Sequence, residues 1–301
     1  MQQDTTEELA ATDLPALTIM SLAQEIAVDG LPVATIADCA AASHGGPVRI
    51  HNEDHCLTLM SSATPNLPRR YLLAVADGVG GHNAGEVASE TAIETLRACF
   101  EDGGHSEPHK WVTRAIHKAN LAVFDHAHSD ASYRSMQTTL TAVLIQGDRV
   151  AIGHVGDSRA YRFRQGSVHQ LTQDHTHFLD LLRVRLVTAD QAMHHPAVHQ
   201  LTRSLGSEPI VRVDVVRDRI EQGDTYVVCS DGLWGSLSRG NLQRVIGDLP
   251  AEEACRRLID LGVTLDADDN MSVGVAHIRH VVPELIGPSF LRRLRARIPG
   301  Q

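Results

Sequence analysis

The stretch Arg70-Tyr71-Leu72-Leu73-Ala74-Val75-Ala76-Asp77-Gly78-Val79-Gly80-Gly81 runs from a continuous apolar segment into one acid and three glycines. An apolar run of this kind, bounded by turn residues, is typical of a strand that is covered on both faces. The glycines allow the backbone to turn sharply and to approach a ligand closely. We therefore expect Asp77 at a strand end, where carboxylate and carbonyl oxygens suit a hard cation.

Acidic residues also lie at the edges of four other strand-like segments, at Glu53 and Asp54, at Asp157, at Asp231 and at 266–269. A single Asp-Gly pair is usually only a turn, but five acidic strand edges in one chain indicate a cluster. Carboxylates gathered in this way repel one another unless cations neutralise them, which favours Mg²⁺ or Mn²⁺. Arg49, close by in the sequence, suits a bidentate grip on a phosphate group.

These residues, in this order, resemble the metal-dependent protein phosphatase family, PPM or type 2C, and its bacterial branch in particular. Eight blocks carry the resemblance: Arg49 with Glu53-Asp54, Asp77-Gly78-Val79-Gly80-Gly81, 138–141, 155–159, 171–175, 202–206, 229–234 and Asp269-Asn270. They extend from about residue 33 to about residue 278. Strands and helices that follow one another in blocks favour stacked layers over a doubly wound sheet. The resemblance implies an α+β fold, a four-layer αββα sandwich with two central antiparallel β-sheets flanked by helix pairs.

The resemblance also implies a serine/threonine protein phosphatase that hydrolyses phosphoserine and phosphothreonine with a water activated at a binuclear Mn²⁺ or Mg²⁺ centre. The implied metal ligands are Glu53, Asp54, Asp77, Gly78, Asp157, Asp231 and Asp269. Asp77 would bridge both ions, and Asp157 with Asp231 would support a third, weaker ion. Arg49 would bind the phosphate, and the implied catalytic residues are Arg49, Asp54 and Asp77.

Three positions depart from the family pattern. Val79 follows the central Asp-Gly where many eukaryotic members have a histidine proposed as the general acid, so the general acid is unassigned. His82 and His175 are candidates on their chemistry alone. Gln137 stands where the family usually has glycine. Residues 176–200, which match the family's mobile flap, fit the pattern least, so the sequence leaves substrate choice open.

Composition excludes several other classes of function. A net charge of −10 argues against non-specific nucleic-acid binding. The five cysteines are scattered without a Cys-x-x-Cys pair, and there is no P-loop motif. Histidine clusters such as His51 and His55 lack cysteine partners, which makes zinc a minor alternative. No apolar run is long enough to span a membrane, and the first 48 residues contain no Lys or Arg. We expect a cytoplasmic monomer acting on the phosphorylated protein products of a serine/threonine kinase.

The predicted organisation is an acidic N-terminal extension over 1–31, a phosphatase domain over 32–281 and a basic tail over 282–301. The apolar patch 17–22 is interpreted either as an extra strand or as a docking segment. The tail is either a solvated helix or a segment that docks on a partner or an anionic surface. Two alternative functions remain: a pseudophosphatase that binds phosphoproteins as a regulatory module, and a binuclear-metal esterase for small phosphate or nucleotide substrates.

Overall fold

The computed structural model describes residues 17–22, 35–62, 68–79, 84–103, 106–183, 200–247 and 249–281. The strands are β1 (Thr18–Ser21), β2 (Ile36–His44), β3 (Asp54–Met60), β4 (Arg70–Val79), β5 (Gln137–Thr138), β6 (Leu140–Gln146), β7 (Arg149–Val155), β8 (Arg159–Arg164), β9 (Ser167–Gln170), β10 (Asp214–Arg219), β11 (Thr225–Cys229) and β12 (Met271–His280). The helices are α1 (Ala84–Glu101), α2 (Pro108–Ser129), α3 (His177–Arg183), α4 (Asp231–Ser236), α5 (Arg239–Ile246) and α6 (Ala251–Thr264), with a 3₁₀ turn at Ala131–Tyr133.

The strands form two antiparallel sheets. The first has the order β1-β2-β12-β11-β8-β9, and the second has the order β10-β7-β6-β4-β3 with β5 paired to the end of β4. Helices α1 and α2 cover the outer face of the second sheet, and α4 to α6 cover the outer face of the first. The described residues therefore form the αββα sandwich that the resemblance implied.

Strand β4 shows why its sequence is apolar without alternation. Leu72 and Ala74 face the core under α1 and α2, whereas Tyr71 and Leu73 face the core between the two sheets. Both faces are buried, so neither set of alternating positions is polar. All four side chains are at most 1% exposed. The apolar run ends where β4 is no longer fully buried, and Asp77 is the first residue at that point.

The structure corrects some element boundaries. The phosphatase domain was predicted to begin at residue 32; its first described strand, β2, begins at Ile36, and residues 32–34 lie outside the described ones. Of the two interpretations of the apolar patch 17–22, the extra strand is observed, since β1 pairs with β2 at the edge of the first sheet. Asp231 lies at the edge of a strand as expected, after β11, and it begins helix α4. In the described part of the chain, no helix is both long and apolar enough to cross a membrane.

Candidate metal centre

Strands β3 and β4 bring the first two acids together. Their antiparallel ladder places Asp54 directly opposite Asp77, and the Gly78 amide donates to the Glu53 carbonyl at 3.1 Å. The Asp77 carbonyl accepts from the Thr139 amide at 2.8 Å and from Thr138 Oγ1 at 2.9 Å. A Cβ atom at Gly78 would lie 2.1 Å from the Gly85 carbonyl oxygen, so only glycine fits there. The end of β4 is thus held on both sides by backbone contacts.

Two further acids lie at the same end of the sandwich, one after a strand of the first sheet and one on the connection between the two sheets. Asp231 follows β11, and its neighbour Ser230 donates through Oγ to Asp54 Oδ2 at 2.7 Å. Ser230 Oγ in turn accepts from the Ser272 amide of β12 at 2.9 Å. Asp157 follows β7 and is buried. Asp54, Asp77, Asp157 and Asp231, named here the inner acids, therefore come from both sheets and meet across the interface.

The electrostatics of the inner acids report their proximity. Burial raises the pKa of Asp54 to about 7; the Ser230 hydrogen bond opposes this rise and the Asp231 charge adds to it. The pKa of Asp77 is raised well above its ordinary value by burial and then by the charges of Asp54, Asp231 and Asp157. Burial likewise raises the pKa of Asp157, and the Asp231 charge raises it further. Such mutual repulsion is what a bound cation would remove.

A second, more exposed group lies beside the inner acids: Arg49, Glu53 and Asp269, named here the outer group. Arg49 Nη2 donates to Asp269 Oδ2 at 2.7 Å, and the Arg49 side chain is 52% exposed. Asn270 positions this group because its Oδ1 accepts from the Glu53 amide at 2.8 Å, while its Nδ2 donates to the carbonyls of Gly45 and His51. Burial raises the pKa of Glu53, with Arg49 lowering it and Asp269 raising it.

Two aromatic side chains fix the turn that carries Asp157. Trp234 of α4 donates through Nε1 to the Asp157 carbonyl at 3.0 Å. The Arg159 guanidinium lies 3.3 Å from the centroid of the Trp234 ring and forms a two-pronged contact with Asp174. On the other side, His175 Nδ1 accepts from the Gly156 amide at 3.1 Å. The contact from Trp234 also links Asp157 to the helix that begins at Asp231.

The donor set fits hard divalent cations. The side chains of the inner acids, and those of Glu53 and Asp269 in the outer group, all offer carboxylate oxygens. Structural zinc sites are built mainly from Cys and His ligands, whereas Mg²⁺ typically takes one or two carboxylates and keeps several waters. Carboxylates spread over the inner acids and the outer group match the second kind of site.

The structure removes one candidate general acid. His175 is only 3% exposed, and both of its ring nitrogens are engaged: Nδ1 with the Gly156 amide and Nε2 with Asp214 Oδ2 at 3.2 Å. Since Nδ1 accepts, Nε2 carries the proton that bonds to Asp214. His175 is therefore a structural residue. His82 lies outside the described residues, and Val79 is exposed at the end of β4.

Sequence reasoning assigned no role to several residues that build this site. Ser230, Asn270 and Trp234 stand within or beside the recognised blocks, but their contacts to Asp54, Glu53 and Asp157 depend on how the two sheets meet. Ser230 and Asn270 each adjoin an acid at a strand edge, and Trp234 lies three residues after one. This closeness in sequence is the one signal that could have marked them.

Comparison with known proteins agrees with this geometry. The family model for protein phosphatase 2C matches residues 48–258. The chain belongs to the protein phosphatase 2C family. The serine/threonine phosphatase stp of Listeria innocua is 33% identical over 205 residues, which cover 67% of this chain and 79% of that protein.

Two solved structures extend the likeness to the fold. The serine/threonine phosphatase PstP/Ppp of Mycobacterium tuberculosis superimposes with a TM-score of 0.72 at 33% identity, over 81% of this chain and 99% of that one. The catalytic domain of PstP in complex with two manganese ions gives a TM-score of 0.69 at 32% identity, over 80% of this chain and 97% of that one. This protein phosphatase 2C member is accordingly a serine/threonine protein phosphatase, with the sandwich fold of its relatives.

Proposed function

We propose that this phosphatase hydrolyses phosphoserine and phosphothreonine in proteins by means of two Mn²⁺ or Mg²⁺ ions held between the inner acids and the outer group. The observation that carries the proposal is the convergence of Asp54, Asp77, Asp157 and Asp231 from both sheets, with pKa values of the first three raised by burial and mutual repulsion. A fold keeps such a cluster when a ligand of opposite charge compensates it.

Each ligand has a defined place in the proposal. Asp77, at the end of β4, would bind both ions, and the Gly78 carbonyl would complete the shell of one of them. Asp231 and Asp269 would hold the other ion. Glu53 and Asp54 would bind an ion or its waters, and Asp157 with Asp231 would hold a third, weaker ion. When bound, the ions neutralise these carboxylates and supply an activated water for attack on phosphorus.

Arg49 is proposed to bind the phosphate group. One nitrogen of its guanidinium group donates to Asp269, and this hydrogen bond orients the plane of the guanidinium. A guanidinium carries five N–H donors, so others remain for phosphate oxygens. Its exposure at the surface agrees with a group that meets incoming substrate. We also propose that the substrates are products of a serine/threonine kinase, and that the enzyme acts as a cytoplasmic monomer in signal transduction.

The test is hydrolysis of p-nitrophenyl phosphate and of a phosphothreonine peptide, each with Mn²⁺, with Mg²⁺ and with excess chelator. The variants are Asp77→Asn and the matched control Asp125→Asn, which makes the same chemical change on the exposed face of α2. We expect turnover of both substrates only with metal, loss of at least 100-fold in Asp77→Asn, and no loss in Asp125→Asn.

Three other outcomes would contradict the proposal. Turnover of small esters without the phosphopeptide would indicate the esterase alternative. Peptide binding without turnover in the folded, metal-loaded protein would indicate a pseudophosphatase. Turnover that persists in excess chelator would exclude the two-ion centre.

A further inference from the structure

A polar cavity of about 390 Å³ lies next to the end of β4, outside the proposed metal ligands. Its walls are the C-terminal end of α2, the 3₁₀ turn, strand β5 and residues 206–207. Gln137 of β5 lines the cavity and pairs with Val79, two residues beyond Asp77. Since neighbouring strands are about 4.8 Å apart and two residues span about 6.6 Å, Gln137 lies on the order of 8 Å from Asp77.

The cavity presents hydrogen-bond donors. Arg134 is exposed at its wall, and among the described residues its guanidinium has no hydrogen-bond or ion-pair partner. Gln137 Oε1 accepts from Ser204 Oγ at 2.6 Å, which leaves the amide N–H groups of Gln137 without a partner among those same residues. One carboxylate, Asp130, also lines the cavity; its Oδ1 accepts from the amide and hydroxyl of Ser132 at 2.8 Å, and it keeps its negative charge.

The backbone beside Arg134 is held in an unusual conformation. Ser135 has a φ of +72°, in the left-handed region that residues other than glycine rarely adopt. The next residue, Met136, is fully buried, and its amide donates to the Tyr133 carbonyl at 3.0 Å. The buried Met136 and its hydrogen bond therefore hold the turn in place, and the turn fixes the position of the Arg134 backbone. Conformations of this kind persist where the surroundings over-determine them, and they cluster at ligand clamps.

We infer that this cavity is a subsite for an anionic group of the substrate, with Arg134 as its cation and Gln137 as a further donor. The inference rests on the proposed function. An extended peptide advances about 3.3 Å per residue, so a distance on the order of 8 Å or somewhat more places the anion two to four residues from the phosphoresidue. The anion is either the carboxylate of an acidic residue or a second phosphate, and both suit a guanidinium.

The experiment compares three phosphothreonine peptides of one sequence. The residue three positions from the phosphothreonine is alanine, glutamate or phosphoserine, and p-nitrophenyl phosphate serves as a substrate too small to reach the cavity. The proteins are the natural chain, Arg134→Ala, Arg134→Lys and the control Arg217→Ala. Arg217 is likewise exposed, but it lies on edge strand β10 opposite Ala151, toward the far end of the sheet from Asp157.

We expect the natural chain to show a lower KM for the two anionic peptides than for the alanine peptide. Arg134→Ala should raise the KM for the anionic peptides about 5- to 10-fold, the effect of losing a charged hydrogen bond, while kcat and the hydrolysis of p-nitrophenyl phosphate stay unchanged. Arg134→Lys should keep part of the preference, and Arg217→Ala all of it. The larger effect, on glutamate or on phosphoserine, identifies which anion the subsite takes.

An equal change in KM for the alanine peptide, or no change at all, would overturn the inference. Failure of the proposed function is a separate result, since the natural chain would then leave all three phosphopeptides intact. In that case fluorescence anisotropy of the labelled peptides, measured in excess chelator, still decides the question. Binding of the anionic peptides that weakens in Arg134→Ala but not in Arg217→Ala would support the subsite, and equal binding would overturn it.

Discussion

Replacing Asp54 with asparagine should stabilise the metal-free protein. Asp54 is 3% exposed, and its pKa is raised from 3.8 to about 7 in the folded state. Because the folded-state pKa lies above the unfolded-state value, the ionised carboxylate costs stability at neutral pH, and the cost fades as the pH falls through 7 toward 3.8. At 1.36 kcal/mol per pKa unit, the cost is about 4 kcal/mol at pH 8 and about 2 kcal/mol at pH 5.

The assay is urea unfolding of the metal-free protein in chelator at pH 8, 6.5 and 5. Asparagine keeps the side-chain oxygen that accepts from Ser230, so Asp54→Asn removes the charge and little else. We expect a higher unfolding free energy than in the natural protein at pH 8 and a smaller difference at pH 5. The control is Asp224→Asn, another buried carboxylate, which should destabilise the protein because Arg164 loses the charge of its buried partner and keeps only the exposed Glu221 carboxylate.

The opposite pattern would refute this reasoning. If Asp54→Asn is the less stable protein at pH 8 without metal, or if its effect is the same at all three pH values, the Asp54 charge is not under electrostatic strain. Saturating Mn²⁺ gives a second check, because the natural protein should gain stability from the ion and Asp54→Asn should gain less. An equal gain in both proteins would show that Asp54 takes no part in holding metal.

Three further predictions follow from the same contacts. Gly232→Ala should lower the unfolding free energy by about 2 kcal/mol or more in urea titrations, because the added Cβ would lie 2.2 Å from the Asn270 carbonyl oxygen. Gly235→Ala in the same helix is the control: its Cβ would meet no atom within 4 Å, so this change should be neutral or stabilising. The apparent affinity for Mn²⁺, measured by calorimetry, should fall between pH 8 and pH 6 because protons compete for the inner acids, and a pH-independent affinity would contradict this. Trp234→Phe should cost about 1 kcal/mol through loss of the hydrogen bond to the Asp157 carbonyl and should raise the Mn²⁺ concentration needed for half-maximal activity; unchanged metal dependence would count against the positioning role.

The sequence predicted β4 and the acids at strand edges because both signals are local. A strand such as Leu72 to Val75 is apolar at every position when both of its faces are covered, so the residue types alone indicate that it is buried. An acid that ends such a run must lie at the edge of the sheet. The family resemblance then ordered these edges into one site. The resemblance did not give the distances between the acids at these strand edges.

The polar contacts around the acids could not be predicted in the same way. His175 has the chemistry of a general acid. Its burial and its two hydrogen bonds, however, depend on how it packs against Gly156 and Asp214, which are distant from it in the sequence. The same holds for Ser230, which reaches Asp54 across 176 residues of sequence. Strand β9, with the short pattern Ser-Val-His-Gln, was missed because an edge strand of four residues buries too little to leave an apolar signature.

In the proposed two-ion centre, the inner acids link the stability of the fold to metal binding. They come from both sheets, so their repulsion acts across the interface that Tyr71 and Leu73 help to seal. An ion that binds only the folded protein stabilises it by about 2.7 kcal/mol at 100 times its dissociation constant. This is of the same order as the cost of about 4 kcal/mol at Asp54 alone. In the proposed centre, metal loading would therefore offset a penalty that the fold carries at neutral pH, and loss of the metal should lower stability together with activity.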